Sequence, residues 1–287
     1  MMEEPVAFNC GEDRLFGIVH KSPGKSRRGV LVVVGGPQYR AGSHRQFVLL
    51  ARYLADNGIP VMRFDYRGMG DSEGARVPFE RIDNDINAAI DAFTEQCPDI
   101  QEIVIWGLCD AASAALFYGH QDERVTGMVL LNPWVFTEQG SARTYLKHYY
   151  LQRILNKDLW RKIIHLEFDY RQSFFSLFKM LQEAGARVSQ EDNEKNTQNE
   201  QQDNALSLPD RMRESLERFT HPVLLILSGN DLTADEFKEL IKSDRRWQKL
   251  INHQRITRHD LNEADHTFST AIWRDQVAAW TADWVKE

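Results

Sequence analysis

Three widely separated side chains, Cys109, Asp231 and His266, are the types that nucleophilic acyl chemistry needs. Cys109 lies in Gly107-Leu108-Cys109-Asp110-Ala111, with small residues two before and two after it. That is the pattern of a sharp strand-to-helix turn, which presents its central side chain above a sheet and needs small flanks to relieve crowding. A thiol there sits at a helix N-terminus, whose unpaired N–H groups and dipole favour the thiolate, the form that attacks a carbonyl carbon. A histidine can take and return the proton, and a carboxylate can orient its ring. Asp231 ends Ser228-Gly229-Asn230-Asp231 and His266 stands in Glu263-Ala264-Asp265-His266-Thr267-Phe268. The order along the chain is therefore nucleophile, acid, histidine, as such an elbow requires.

Each of the three has a plainer reading on its own. Most free cysteines are small buried hydrophobes. An aspartate in a Gly-Asn-Asp turn is ordinary turn chemistry, and a histidine beside Asp265 and Thr267 is an ordinary neighbour of a helix cap. Their joint occurrence in the required order makes catalysis the stronger reading. Asp235 and Asp265 compete for the role of acid. Asp235 starts a helix, where capping accounts for it, and Asp265 adjoins His266 in sequence, so Asp231 ranks first. A tetrahedral intermediate also needs two donors. One is expected from the Asp110 N–H, the other from the turn Gly35-Gly36-Pro37-Gln38.

The elements that must hold these residues follow from hydrophobic periodicity. Residues 15–19, 30–34, 60–64, 103–106, 127–131 and 223–227 read as strands, with a last one around 254–257. Between them, 43–57, 79–96, 112–118 and 235–242 read as helices, and a final helix follows His266. Alternation of this kind predicts an α/β chain: a mostly parallel central sheet with helices on both faces. It stops at 132–219, where aromatic-rich helical patterns predict a cap inserted between core segments 1–131 and 220–287. Within that cap, the polar tract 189–204 reads as a flexible loop, because it has almost nothing to bury.

Composition narrows the function. The 287 residues carry a formal net charge of −7 and no basic stripe, which argues against nucleic acid and anionic lipid and leaves a small-molecule substrate. The N-terminus lacks the basic start and apolar core of a secretory signal, and no apolar run approaches the ~20 residues that span a bilayer, so a cytoplasmic location is expected. Cys10, Cys97 and Cys109 form no C-x-x-C pair, and the nine histidines show no H-E-x-x-H spacing. No disulfide framework, metal or cofactor is expected.

Several motifs go further: Gly35-Gly36-Pro37-Gln38-Tyr39-Arg40, Arg63-Phe64-Asp65-Tyr66-Arg67-Gly68-Met69-Gly70-Asp71-Ser72, Trp106-Gly107-Leu108-Cys109-Asp110-Ala111, Leu131-Asn132-Pro133-Trp134 and Ala264-Asp265-His266-Thr267-Phe268-Ser269. Through them the sequence resembles the α/β-hydrolase superfamily over nearly its whole length, and more closely the branch known as exosortase A system-associated hydrolase 1. The resemblance implies the α/β-hydrolase fold and a setting of exopolysaccharide production and exosortase-dependent sorting. Against the common superfamily pattern, cysteine replaces serine, Asp110 follows it, and Gly35-Gly36 replaces the usual His-Gly. The usual donor position becomes Pro37, which has no N–H, so the second donor is expected to be the backbone or side chain of Gln38, or another group.

The expected reaction is hydrolysis of an ester or thioester through an acyl-enzyme on Cys109. Transfer of the acyl group to another acceptor, or ligand binding without catalysis, are the alternatives that these residues leave open.

Overall fold

The computed structural model describes residues 2–36, 38–135 and 206–287. In chain order its regular elements are strands β1 (Met2–Cys10), β2 (Asp13–Lys21) and β3 (Arg28–Val33), helix α1 (Gln46–Asp56), β4 (Val61–Asp65), α2 (Asp83–Gln96), β5 (Glu102–Leu108), α3 (Asp110–Gly119) and β6 (Val125–Leu131). After the undescribed segment come α4 (Leu208–Arg218), β7 (Val223–Asn230), α5 (Leu232–Ser243), α6 (Arg245–Ile251), β8 (Ile256–Asp265) and α7 (Ala271–Lys286).

The strands form one sheet in the order β1-β2-β4-β3-β5-β6-β7-β8. β1 and β2 are antiparallel to their neighbours, and every pairing from β4 to β8 is parallel. The mostly parallel sheet is what the alternating pattern predicts, and the whole is the α/β-hydrolase arrangement that the resemblance implies. The central strands are continuous apolar runs because both faces of the sheet are covered. Side chains alternate between the two faces. Val30, Val32, Val104, Trp106, Val129, Leu224 and Ile226 pack with α1 and α7 through Phe47, Leu54, Val277 and Val285. Leu31, Val33, Ile105, Leu130 and Leu225 face the other way, onto Ile86 and Phe93 of α2 and the alanines of α3.

Five elements differ from the sequence expectation, one of them the last strand, expected around 254–257 and found as β8 over Ile256–Asp265. β1 is an added edge strand; its half-buried face of Val6 and Phe8 packs on the core while Pro5 and Ala7 face out. α6 is an added short helix, capped by Asp244 and anchored by the buried Trp247. The expected helix over 79–96 is a single 3-10 turn, Phe79–Arg81, followed by α2. The helix expected over 43–57 starts only at Gln46, because a 3-10 turn at Ser43–Arg45, with His44 and Arg45 at positive φ, precedes α1.

Most of the expected cap, together with the polar tract 189–204, lies outside the described residues. Its last part is α4, which packs on α3 and buries Met212 and Leu216 in the core, with Phe219 just beyond the helix. No described helix is long and apolar enough to cross a membrane.

Candidate active site

Cys109 occupies the single residue between β5 and α3, with φ 64° and ψ −126°. A non-glycine residue held there costs of order 1–3 kcal/mol, which the surroundings must offset. They do so through hydrogen bonds: the Cys109 N–H donates to the Leu131 carbonyl at 2.9 Å, and the Cys109 carbonyl accepts from the N–H groups of Ala112, Ser113 and Trp134. Gly107 lets α3 start this close to β5, since a Cβ there would stand 2.6 Å from the Ala111 carbonyl carbon. The thiol is half-buried.

β8 runs through Asp265, so His266 emerges at the C-terminal edge of the sheet. Its Nδ1 lies 2.9 Å from Asp231 Oδ2, and the Cys109 side chain is near enough to its ring to raise its pKa. With Nδ1 engaged by the carboxylate, Nε2 is the nitrogen left for the sulfur. Asp231 first, then Cys109, outweigh burial and push the His266 pKa up to about 10.

Asp231 is the N-cap of α5, where its carboxylate also accepts from the N–H groups of Thr233 at 3.2 Å and Ala234 at 3.1 Å. The helix start and the imidazole hold this side chain from opposite sides. The two competing acids are engaged elsewhere: Asp235 pairs with Lys238 at 3.2 Å, and Asp265 accepts from the Ser269 N–H at 3.0 Å and from the Ser269 hydroxyl.

The Asp110 N–H stands at the start of α3, beside the sulfur in sequence. Its side chain turns away to the neighbouring turn, accepting the Gly36 N–H at 2.7 and 2.9 Å on its two oxygens and the Ala111 N–H at 3.0 Å. Burial nevertheless pushes the Asp110 carboxyl above its ordinary range, against the pull of the N–H bonds from Gly36 and Ala111. Gln38 lies further along that turn, its side-chain carbonyl facing the Ser43 N–H at 3.3 Å and the Gln46 amide at 3.4 Å. Pro37 lies outside the described residues. Arg40 fixes the far end of the turn: its N–H donates to Asp65 at 2.6 Å, its guanidinium pairs with Asp65 and Asp71, and its carbonyl accepts from Arg63 at 2.9 Å.

Asn132 is a structural member of the site that motif reasoning passed over as a mere family mark. Just after β6, it exchanges two hydrogen bonds with Ser228, at 2.8 and 2.9 Å, and donates to the His266 carbonyl at 3.2 Å. Its one legible signal is an asparagine directly after an apolar strand. Among the described residues, no group of three or more His, Cys, Asp or Glu side chains could hold a metal ion.

Comparison with known proteins agrees with this architecture. A family model described as serine aminopeptidase, S33, matches residues 25–269. The uncharacterized protein RP471 of Rickettsia prowazekii (strain Madrid E) is 27% identical over 139 residues, a match spanning 46% of this chain and 56% of that protein. Among solved structures, the esterase Pf2001 of Pyrococcus furiosus has a TM-score of 0.64 at 15% identity, covering 99% of this chain and 92% of its own. The α/β hydrolase GrgF from Penicillium sp. sh18 has a TM-score of 0.62 at 14% identity, with 100% and 98% covered. A dienelactone hydrolase from Anabaena variabilis has a TM-score of 0.61 at 14% identity, with 99% and 97% covered.

Proposed function

The chain belongs to the α/β-hydrolase family described as serine aminopeptidase, S33, and within it we propose that this protein cleaves a small ester or thioester through an acyl-enzyme on Cys109. The observation that carries the reading is His266, hydrogen-bonded at 2.9 Å to Asp231, with the Cys109 side chain the next largest influence on its raised pKa. A protonated imidazole between a carboxylate and a sulfur is charge-compensated when the sulfur is a thiolate.

In the first half-reaction the Cys109 sulfur attacks the carbonyl carbon and the carbonyl π electrons move to oxygen. The Asp110 N–H and the Gln38 N–H are the donors assigned to that oxyanion. The tetrahedral species collapses as His266 gives its proton to the departing alkoxide or thiolate, leaving a thioester on Cys109. In the second half, neutral His266 takes a proton from water, hydroxide adds to the thioester carbonyl, and the sulfur departs with the carboxylic acid released. Asp231 keeps the ring oriented throughout. The motif resemblance to exosortase A system-associated hydrolase 1 supports a link to exopolysaccharide and exosortase systems without naming a substrate. The esterase and dienelactone hydrolase among the structural neighbours fit ester chemistry on this scaffold.

Intact-mass spectrometry after mixing the protein with activated acyl esters and acyl thioesters tests the proposal. An acyl adduct in wild type, absent in Cys109→Ala, is expected, with release of the leaving group tracking it. An adduct that persists in Cys109→Ala, or folded wild type that takes up no acyl group from any donor, sinks the reading.

A further inference from the structure

We propose that the Asp110 side chain is a positioning residue: its carboxylate holds the Gly36 N–H and so fixes the oxyanion turn against the Cys109 elbow. The inference rests on the acyl-enzyme reading above and assigns a task to a side chain which that mechanism leaves idle.

The contact is built into both partners. Gly36 donates to both carboxylate oxygens, at 2.7 and 2.9 Å, from a left-handed conformation with φ 62°. Gly35 leaves the carboxylate its place, since a Cβ there would overlap Asp110 Oδ1 and stand 2.7 Å from the Leu108 carbonyl oxygen. The two segments are 74 residues apart in sequence, so nothing local brings them together.

The consequence falls on the donor. The Gly36 N–H is taken up by Asp110 and cannot face the substrate oxygen. Pro37 has none, so the next N–H along the turn is that of Gln38. Its position is set by the anchors on either side: Asp110 on Gly36, and Asp65 with Arg63 on Arg40. The second of these is independent of the nucleophile. Asp110 is the one that registers the turn to the elbow itself, and it follows Cys109 directly.

A rival account gives Asp110 a purely electrostatic role, and it predicts the opposite sign. A carboxylate beside a site where negative charge develops opposes that charge, so deleting it would leave acylation as fast or faster. Under the clamp, deletion slows acylation because a donor displaced by about 1 Å forfeits much of its stabilisation.

The experiment uses the full chain and a p-nitrophenyl acyl ester shown to acylate wild type. Single-turnover acylation and steady-state kcat and KM are measured for Asp110→Ala, Asp110→Asn and Asp110→Glu, with iodoacetamide labelling of Cys109 as a second readout. Asp110→Ala is expected to lose roughly 10- to 100-fold in kcat with KM little changed, the range in which a poorly placed oxyanion donor costs rate. Asn keeps an acceptor for Gly36 and is expected to lose far less. Glu keeps the charge but carries it past Gly36, and is expected to fall with Ala. Iodoacetamide attack needs no oxyanion donor and should proceed in Asp110→Ala about as in wild type.

Should Asp110→Ala fail to fold, the contrast between Asn and Glu decides the matter. Asp110→Ala or Asp110→Glu acylating as fast as wild type overturns the inference, as does Asp110→Asn falling as far as Ala, or iodoacetamide labelling falling in step with acylation. Wild type that takes no acyl group overturns the acyl-enzyme reading and this inference with it. Acylation in wild type with an unaffected Asp110→Ala overturns this inference alone.

Discussion

His266 stands between two partners that both favour its charged form, and its pKa is pushed up to about 10, by Asp231 first and Cys109 second. The folded value lies above the ordinary 6.5, so this contribution to stability is complete below pH 6.5 and is lost as pH rises through about 10. Asp231→Asn isolates the larger cause. Asparagine is as good an N-cap for α5, so the Thr233 and Ala234 N–H groups keep an acceptor while the imidazole loses its anion. The expected outcome is a variant whose alkaline loss of Tm sets in at lower pH than in wild type. Its kcat should fall by roughly 10³-fold, because an amide facing Nδ1 favours the wrong tautomer. Melting curves from pH 6 to 11 and steady-state rates check both parts, and superimposable Tm profiles would remove Asp231 as the source of the shift.

At this scale Cys109, Asp231 and His266 were candidates from sequence alone, and the structure sets His266 against Asp231. Cys109 and Asp231 follow apolar strands that periodicity marks, β5 and β7, whereas His266 follows β8, whose polar second half extends the strand expected around 254–257 out to Asp265. The Asp110 and Asn132 side chains were not readable. Their partners come from 74 to 134 residues away, and a rotamer chosen by such a partner leaves no local pattern.

At the scale of elements, the loop after β4 depends on one buried ion pair. Asp85, near the start of α2, is fully buried and accepts the Arg67 N–H at 2.9 Å, Nε at 3.0 and 3.2 Å and Nη2 at 2.8 Å. Removing one partner of such a pair leaves a buried charge with little compensation. Arg67→Ala is therefore expected to cost about 3 kcal/mol, read as a lowered urea midpoint with an unchanged m-value. A midpoint equal to wild type would mean that water reaches Asp85 and replaces the guanidinium. The same element shows how sequence reading goes astray. The expected helix over 79–96 spans the kink at Ile82, because apolar spacing continues through a 3-10 turn that tertiary packing imposes. β1 carries an alternation of Val6, Phe8 and Cys10 directly after Pro5, a residue that argues against a strand but that an edge strand tolerates.

For the whole molecule, the decisive fact is that the candidate site is shared between two stretches of chain that meet at the sixth and seventh strands of the eight-stranded sheet. Cys109 comes from the first, Asp231 and His266 from the second, and the joint is the parallel pairing of β6 with β7 from Met128–Val223 to Leu131–Ile226. The interruption after residue 131 and the resumption at 223 were legible as a change in periodicity, but their side-by-side closure is a property of the sheet. Asn132 sits where that joint reaches the site. Its N–H donates to the Ile226 carbonyl at 3.1 Å, and its side chain binds Ser228 and the His266 carbonyl. It is fully buried with φ 44°, a conformation in which asparagine and glycine are at ease and alanine is strained by roughly 1–2 kcal/mol. Asn132→Ala leaves the buried Ser228 N–H without its acceptor as well, for a total near 3 kcal/mol. Asn132→Gly removes the same hydrogen bonds without the backbone strain. Both variants are expected to lose kcat alike, because both release the loop that carries His266, while Gly keeps a higher urea midpoint than Ala. Equal midpoints would mean that strain at 132 is relieved by the surroundings. Wild-type kcat in both would mean that the β6–β7 pairing alone holds His266 in register with Cys109.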